Sequence, residues 1–143
     1  MAVITEDYVS FEIAKLLKEK EFNEETEYVY SDRVDLLRLS HLGIKDLTNA
    51  DCNDYHTWQF PIEDVASIIS APTLQMAMKW LVQEYRLYVN VAPSVEGHYW
   101  SDKWHSYVDD LNKRYPFGKF IGTFNSPEEA CEAAIKYCLE NLI

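Results

Sequence analysis

The chain has 143 residues, enough for one domain that buries roughly two-thirds of its unfolded surface, and its 48% hydrophobic and 26% charged content is ordinary for a folded globular protein. Twenty-four acids against thirteen bases give a net charge of −11, which excludes the concentrated basic face that direct nucleic-acid binding needs. Four Gly and five Pro argue against a long linker or low-complexity tail, while ten Tyr, six Phe and four Trp make the chain aromatic-rich.

Residues 6–20 read as a first helix. Val9, Ile13, Leu16 and Leu17 recur at helical spacing, and Lys15, Lys18 and Glu19 fall on the wet side. Thr5 is the expected N-cap, with Glu6 and Asp7 in the first turn. Asn23-Glu24-Glu25-Thr26 then breaks the pattern, and Tyr28-Val29-Tyr30 has strand composition. Between residues 31 and 69 the apolar groups Val34, Leu36, Leu37, Leu39, Leu42, Ile44 and Leu47 follow neither the helical nor the strand period. Gly43 is expected to end a short element near Leu42. Thr48–Tyr55 (TNADCNDY) is polar and turn-forming, which predicts an exposed loop. His56–Phe60, ended by Pro61, and Ser67-Ile68-Ile69, before Pro72, read as short strands.

The second helix is the best-written element. Pro72 is placed in its first turn, where a missing N–H costs nothing, with Ser70 or Ala71 ahead of it. Leu74, Ala77, Met78, Leu81 and Tyr85 make its apolar stripe, Val82 widens it, and Met76 and Trp80 lie on a flank. The period then switches: Leu87, Val89 and Val91 alternate with Tyr88 and Asn90 as a strand that Pro93 and Ser94 end. After a turn at Glu96-Gly97, residues 103–111 return as a second strand. Lys119–Phe124 is a third, with Phe120 and Gly122 on one face and Ile121 and Thr123 on the other. Ser126 caps a last helix whose buried face is Ala130, Cys131, Ala134, Ile135, Cys138, Leu139 and Leu142. The order, α then αβββα with short connections, predicts a single α+β domain over residues 1–143, with a mainly antiparallel sheet and helices packed on one face.

Three Cys with no C-x-x-C write no disulfide framework. Cys131 and Cys138 lie two helical turns apart, roughly 10 Å between Cα atoms at ~1.5 Å rise per residue, too far to bridge. Reduced, buried thiols are expected, which fits a cytoplasmic protein. The first residues carry no basic region or apolar core of a secretory signal, and no apolar run approaches the roughly 20 residues of a membrane span. No membrane association is expected.

The blocks SFEIAKLLKEKEF (10–22), SAPTLQMAMKWL (70–81) and PEEACEAAIKYCLENLI (127–143) carry a resemblance. In them the chain resembles a family of small uncharacterised proteins of gut Bacteroides and related bacteria, and of their phages and prophages. That family is similar in layout, with a first helix of this kind, a divergent middle, a PTLQMAMKWL-type helix and an EEACEAAIKYCL-type final helix. The matching blocks cover about a third of the chain, and none lies in residues 31–66. The resemblance implies a bacterial or phage accessory protein with a variable segment near 31–69, and it carries over no catalytic residue.

The richest side-chain cluster is His98-Tyr99-Trp100-Ser101-Asp102-Lys103-Trp104-His105-Ser106-Tyr107. On a strand, His105, Tyr107 and Asp109 share one face and Trp104, Ser106 and Val108 the other. An aromatic and imidazole surface can stack on a base, a sugar or a partner's side chain; the bland alternative is a core face backed by a solvated hairpin. The candidate binding residues are Tyr99, Trp100, His105 and Tyr107. Two loose metal-type sets occur, Cys52/Asp54/His56 and His98/His105/Asp109, but neither has zinc-site spacing, so no metal is expected. There is no G-x-S-x-G, P-loop or G-x-G-x-x-G, and no cofactor is expected. Glu24/Glu25, Glu63/Asp64 and Asp109/Asp110 are adjacent in sequence, so their side chains diverge instead of sharing a pocket.

Acidity is concentrated in the front half: residues 1–30 hold eight acids against three bases, and residues 31–72 seven against three. It reads as solubility, or as a surface for a basic partner. The expected function is a non-enzymatic macromolecular interaction module, a bacterial or prophage-encoded accessory protein that binds another protein. The alternative is an acidic, nucleic-acid-mimicking inhibitor of a host or phage enzyme. A small hydrolase or transferase built on His98–Asp109 ranks third.

Overall fold

A computed structural model of the chain describes residues 7–31, 34–39, 48–50, 68–113 and 118–143. The architecture is α+β, with two three-stranded sheets in which every pairing is antiparallel. The chain divides into two compact units, Tyr8–Thr73 and Leu74–Ile143 together with the first seven residues.

In the Tyr8–Thr73 unit, helix α1 (Phe11–Glu19) begins at Phe11, not at residue 6. Ser10 is its N-cap, with Oγ accepting the Ile13 N–H at 3.3 Å. Val9 falls on the helical spacing, but its N–H donates to the Pro72 carbonyl at 3.0 Å, and Tyr8 forms an antiparallel bridge with Thr73. A buried apolar residue before a cap therefore mimics one more helical turn. The helix closes in a Schellman arrangement: Phe22 N–H donates to the Leu17 carbonyl at 2.9 Å and Glu21 N–H to the Lys18 carbonyl at 3.1 Å. Glu21 stands at the left-handed position, φ 65°, that glycine usually occupies, and Phe22 is buried behind it.

The sheet of this unit has the order β2 (Val34–Leu39), β1 (Tyr28–Ser31), β3 (Ile68–Ala71). The strands expected at Tyr28-Val29-Tyr30 and at Ile68-Ile69 are both present. β2 lies where the apolar spacing showed no period. The Tyr30 hydroxyl donates to the Val9 carbonyl at 2.8 Å, and Tyr30 meets Phe11 edge-on at 5.6 Å. Of the predicted exposed loop Thr48–Tyr55 only residues 48–50 are described, and there Asn49 departs from the expectation. Asn49 and Ala50 are helical, and Asn49 is buried. Its Nδ2 donates to the Phe22 carbonyl at 2.6 Å and its Oδ1 accepts the Ser70 N–H at 2.9 Å. A polar residue read as solvent-facing here fills backbone bonds that a strand edge and a helix exit leave open. The predicted element at His56–Phe60, the stop at Gly43 and Cys52 lie outside the described residues.

In the second unit, helix α2 (Leu74–Tyr85) starts after Pro72. Pro72 is not in its first turn, since Ser70 and Ala71 belong to β3; the first helical N–H, of Leu74, donates instead to the Asp7 carbonyl at 2.9 Å. Leu74, Ala77, Trp80 and Leu81 are buried. Trp80, expected on a flank, is thus a core residue, with its ring edge-on to Tyr85 at 5.3 Å. The α2-to-strand junction turns at Arg86, φ 54°, and is fastened by Leu111 N–H on the Arg86 carbonyl at 2.8 Å and Asn112 Nδ2 on the Tyr85 carbonyl at 3.0 Å.

The sheet of this unit runs β4 (Leu87–Glu96), β5 (Tyr99–Asp110), β6 (Lys119–Phe124). β4 does not stop at Pro93 and Ser94. It is an edge strand, where a missing N–H need not break a ladder, and the register shifts between Pro93 and Val95. The turn is Gly97-His98, with Gly97 at φ 64°, the first-position glycine of a tight hairpin. Helix α3 (Pro127–Asn141) packs on all three strands and on α2. Its N-cap is Ser126, as expected, with Oγ accepting the Glu129 N–H at 3.1 Å. Ala130, Cys131, Ala134, Ile135, Cys138 and Leu139 are buried, while Leu142 at the C-cap is 39% exposed and leaves the predicted core face. Cys131 and Cys138 are free, and Cys131 Sγ lies 3.2 Å from Met78 Sδ between α3 and α2. Burial pushes both thiols up to about 12, for Cys131 with Glu132 and Glu128 adding to it.

Candidate functional site

The two faces of the β4–β5–β6 sheet differ because side chains alternate along each strand. Leu87, Val89, Ser106 and Val108 are buried, and Val89 stands opposite Val108. The other face carries Tyr88 opposite Asp109, Asn90 opposite Tyr107, and Ala92 opposite His105. From β6, Phe120 stands opposite Tyr107 and Thr123 opposite His105. His105, Tyr107 and Asp109 therefore share one face, as their spacing predicts.

On that face three rings form a cluster. His105 and Phe120 meet edge-on at 5.3 Å and 90°, Tyr107 and Phe120 lie 5.4 Å apart at 56°, and His105 and Tyr107 6.4 Å apart at 81°. Such pairs each contribute about 0.5–1.5 kcal/mol beyond area burial, so they hold one another in place without a covering layer. Phe120 is still 48% exposed and Tyr88 47%. Gly118 lies beside them: a Cβ there would come within 2.6 Å of Asp109 Oδ1, so the carboxylate would have to turn aside.

Phe120 reaches this cluster through a bulge. Ser106 pairs with Gly122 but Tyr107 with Phe120, so Ile121 is an extra residue in β6. The extra residue reverses the alternation. Phe120 and Gly122, expected on one face, are on opposite faces.

Tyr99 and Trp100 do not join the cluster. They stand at the hairpin tip, opposite Glu96 and Val95, and are 80% and 73% exposed. The four candidate residues thus divide between two places on one ribbon, His105 and Tyr107 at mid-sheet and Tyr99 and Trp100 at its end. Sequence reasoning missed Tyr88 and Phe120. Tyr88 had a signal, since its neighbours Leu87 and Val89 mark the inner face. Phe120 had none, because a bulge is not written in composition.

The chemistry of the face is that of contact. Ser106 is on the opposite face and fully buried with no partner for its hydroxyl, so no Ser–His pair forms with His105. His98 in the turn and Asp109 near the far end of β5 are on the order of 30 Å apart at ~3.3 Å rise per residue and do not share a site. Among the described residues no three His, Cys, Asp or Glu side chains are grouped to hold a metal ion. The set Cys52/Asp54/His56 lies outside them. Among the described residues, too, no helix is long and apolar enough to cross a membrane. Compared with family models, curated proteins and solved structures, the chain matches none.

Proposed function

We propose that the chain is a non-enzymatic interaction module that binds another protein through the β4–β6 sheet. The observation that carries this reading is the cluster of His105, Tyr107 and Phe120, with Tyr88 beside it, on a sheet face whose reverse is already filled by α3. Aromatic side chains that stay half in water are the usual anchors of protein interfaces, and truncating one such anchor costs about 2 kcal/mol or more. The resemblance of the blocks at 10–22, 70–81 and 127–143 supports a bacterial or prophage-encoded accessory protein, and free, buried Cys131 and Cys138 support a place in the cytoplasm.

The alternative, an acidic inhibitor that occupies a nucleic-acid site, draws on the net charge of −11 and its concentration in the front half. The two readings separate experimentally. Affinity capture from a Bacteroides lysate is performed with the wild type, with Tyr107→Ala/Phe120→Ala, and with Glu24→Lys/Glu25→Lys/Glu27→Lys. The interaction reading expects one captured protein, lost with the aromatic variant and kept with the charge variant. Loss with the charge variant alone, together with strong salt sensitivity, would favour the inhibitor.

A further inference from the structure

We infer that the tip of the β4–β5 hairpin docks a basic segment of a partner protein, with Trp100 and Tyr99 receiving arginine or lysine side chains and Glu96 and Asp102 supplying the counter-charge. The inference rests on the reading of the chain as an interaction module and names the chemistry of what the module holds.

Tyr99 and Trp100 are the two most exposed large apolar side chains among the described residues, and neither packs on a ring of the sheet cluster. Glu96 is the direct cross-strand partner of Tyr99 and Val95 that of Trp100. Directly opposite residues hold their Cβ atoms about 5 Å apart, so a carboxylate stands beside a ring on one side of the ribbon. Asp102 is exposed two residues beyond Trp100. Lys103 is the one Lys or Arg between residues 95 and 110, and its ammonium donates to the Asn125 side chain.

The tip is therefore acidic as well as aromatic. The face of an exposed ring attracts a guanidinium or ammonium placed over it, and flanking carboxylates select a cation over a neutral side chain. Residues 73–115 hold five acids against five bases, so the selection of a cation rests on Glu96 and Asp102 at the tip and not on the net charge of the chain.

The tip is also held in shape before anything binds. Gly97 and His98 close a tight turn. Below it, the Ser94 and Ser101 hydroxyls hydrogen-bond across the strands, and Lys103 N–H donates to Ser101 Oγ at 3.0 Å. That stretch is where β5 carries more residues than β4, since Pro93 faces Trp104 but Val95 faces Trp100. A tip fixed in this way loses little conformational freedom on binding.

The test titrates the full chain with a short oligoarginine peptide and, separately, with an oligoglutamate peptide, reading backbone amide and tryptophan indole signals by NMR. Trp100→Phe assigns the Trp100 indole. The oligoarginine peptide is expected to move the Trp100 indole and the Tyr99 amide, the oligoglutamate peptide neither. Trp100→Ala and the pair Glu96→Lys/Asp102→Lys should each weaken binding roughly tenfold, a change of about 1.4 kcal/mol, with Glu140→Lys, an exposed charge reversal on α3, without effect. Shifts confined to Glu24–Glu27, or an affinity that Trp100→Ala and the charge reversal both leave unchanged, would overturn the inference. So would an indole that responds to phosphatidylcholine vesicles and not to the peptide, which would point to a membrane surface. A negative result here, with a captured partner still lost in Tyr107→Ala/Phe120→Ala, would remove the basic-segment inference and leave the interaction reading standing.

Discussion

Asn49 joins two places far apart in sequence, the exit of α1 and the edge of β3, by filling the Phe22 carbonyl and the Ser70 N–H. Removing its amide takes a bond from each of these buried groups, at about 1–3 kcal/mol each. Asn49→Ala should therefore lower stability by about 2–4 kcal/mol in equilibrium urea unfolding; a loss within experimental error would show that water reaches both groups. The thiols of Cys131 and Cys138 make a second residue-level prediction. Each ionises at about 12 in the folded chain against 9.0 ordinarily, because burial penalises the thiolate. Between those values the unfolded chain gives up protons that the folded one keeps. Their contribution is complete below pH 9.0 and is lost as pH rises toward about 12. Stability should fall less steeply across this range in Cys131→Ala/Cys138→Ala. In a Cys52→Ser background, neither remaining thiol should react with a polar disulfide reagent until the protein is unfolded.

At the scale of elements, α1 ends with a glutamate where glycine would be unstrained. A non-glycine residue in the left-handed region costs roughly 1–2 kcal/mol, so Glu21→Gly should raise stability by about 1 kcal/mol. Glu21→Ala, which keeps the strain, should not; equal effects of the two would mean that the carboxylate, not the backbone, decides. The elements also show what the residues make legible. α2, α3, the Ser126 cap and the turn at Gly97 were readable because helical stripes, capping residues and tight-turn glycine act over a few neighbouring positions. Residues that depend on a distant partner were misread. Val9 looked helical until Pro72 supplied its bond, Pro93 looked like a strand end because an edge position is not visible in sequence, and Leu142 continued a stripe after its helix had ended. The site divides along the same line. The shared face of His105 and Tyr107 follows from alternation alone, whereas Phe120 enters through the extra residue at Ile121, which only the pairing of β5 with β6 reveals.

At the scale of the molecule, each compact unit has its own sheet, and among the described residues the aromatic side chains left half in water are concentrated on the sheet of the unit that contains α3. The blocks at 70–81 and 127–143 are mostly buried helix faces, Leu74, Ala77 and Leu81 in one and Ala130, Ala134, Ile135 and Leu139 in the other. They build the scaffold. The proposed contacts lie outside those blocks, on the outer face of β4–β6 and at the hairpin tip. The proposed contact of this face with a partner protein is put to the test by site-specific photocrosslinking. A photoreactive phenylalanine analogue is placed at Phe120 and, as a control of similar exposure, at Leu142. A single crosslinked protein is expected from position 120, lost with Tyr107→Ala and absent from position 142. Equal crosslinking from both positions, or a partner crosslinked at 142 and not at 120, would contradict it.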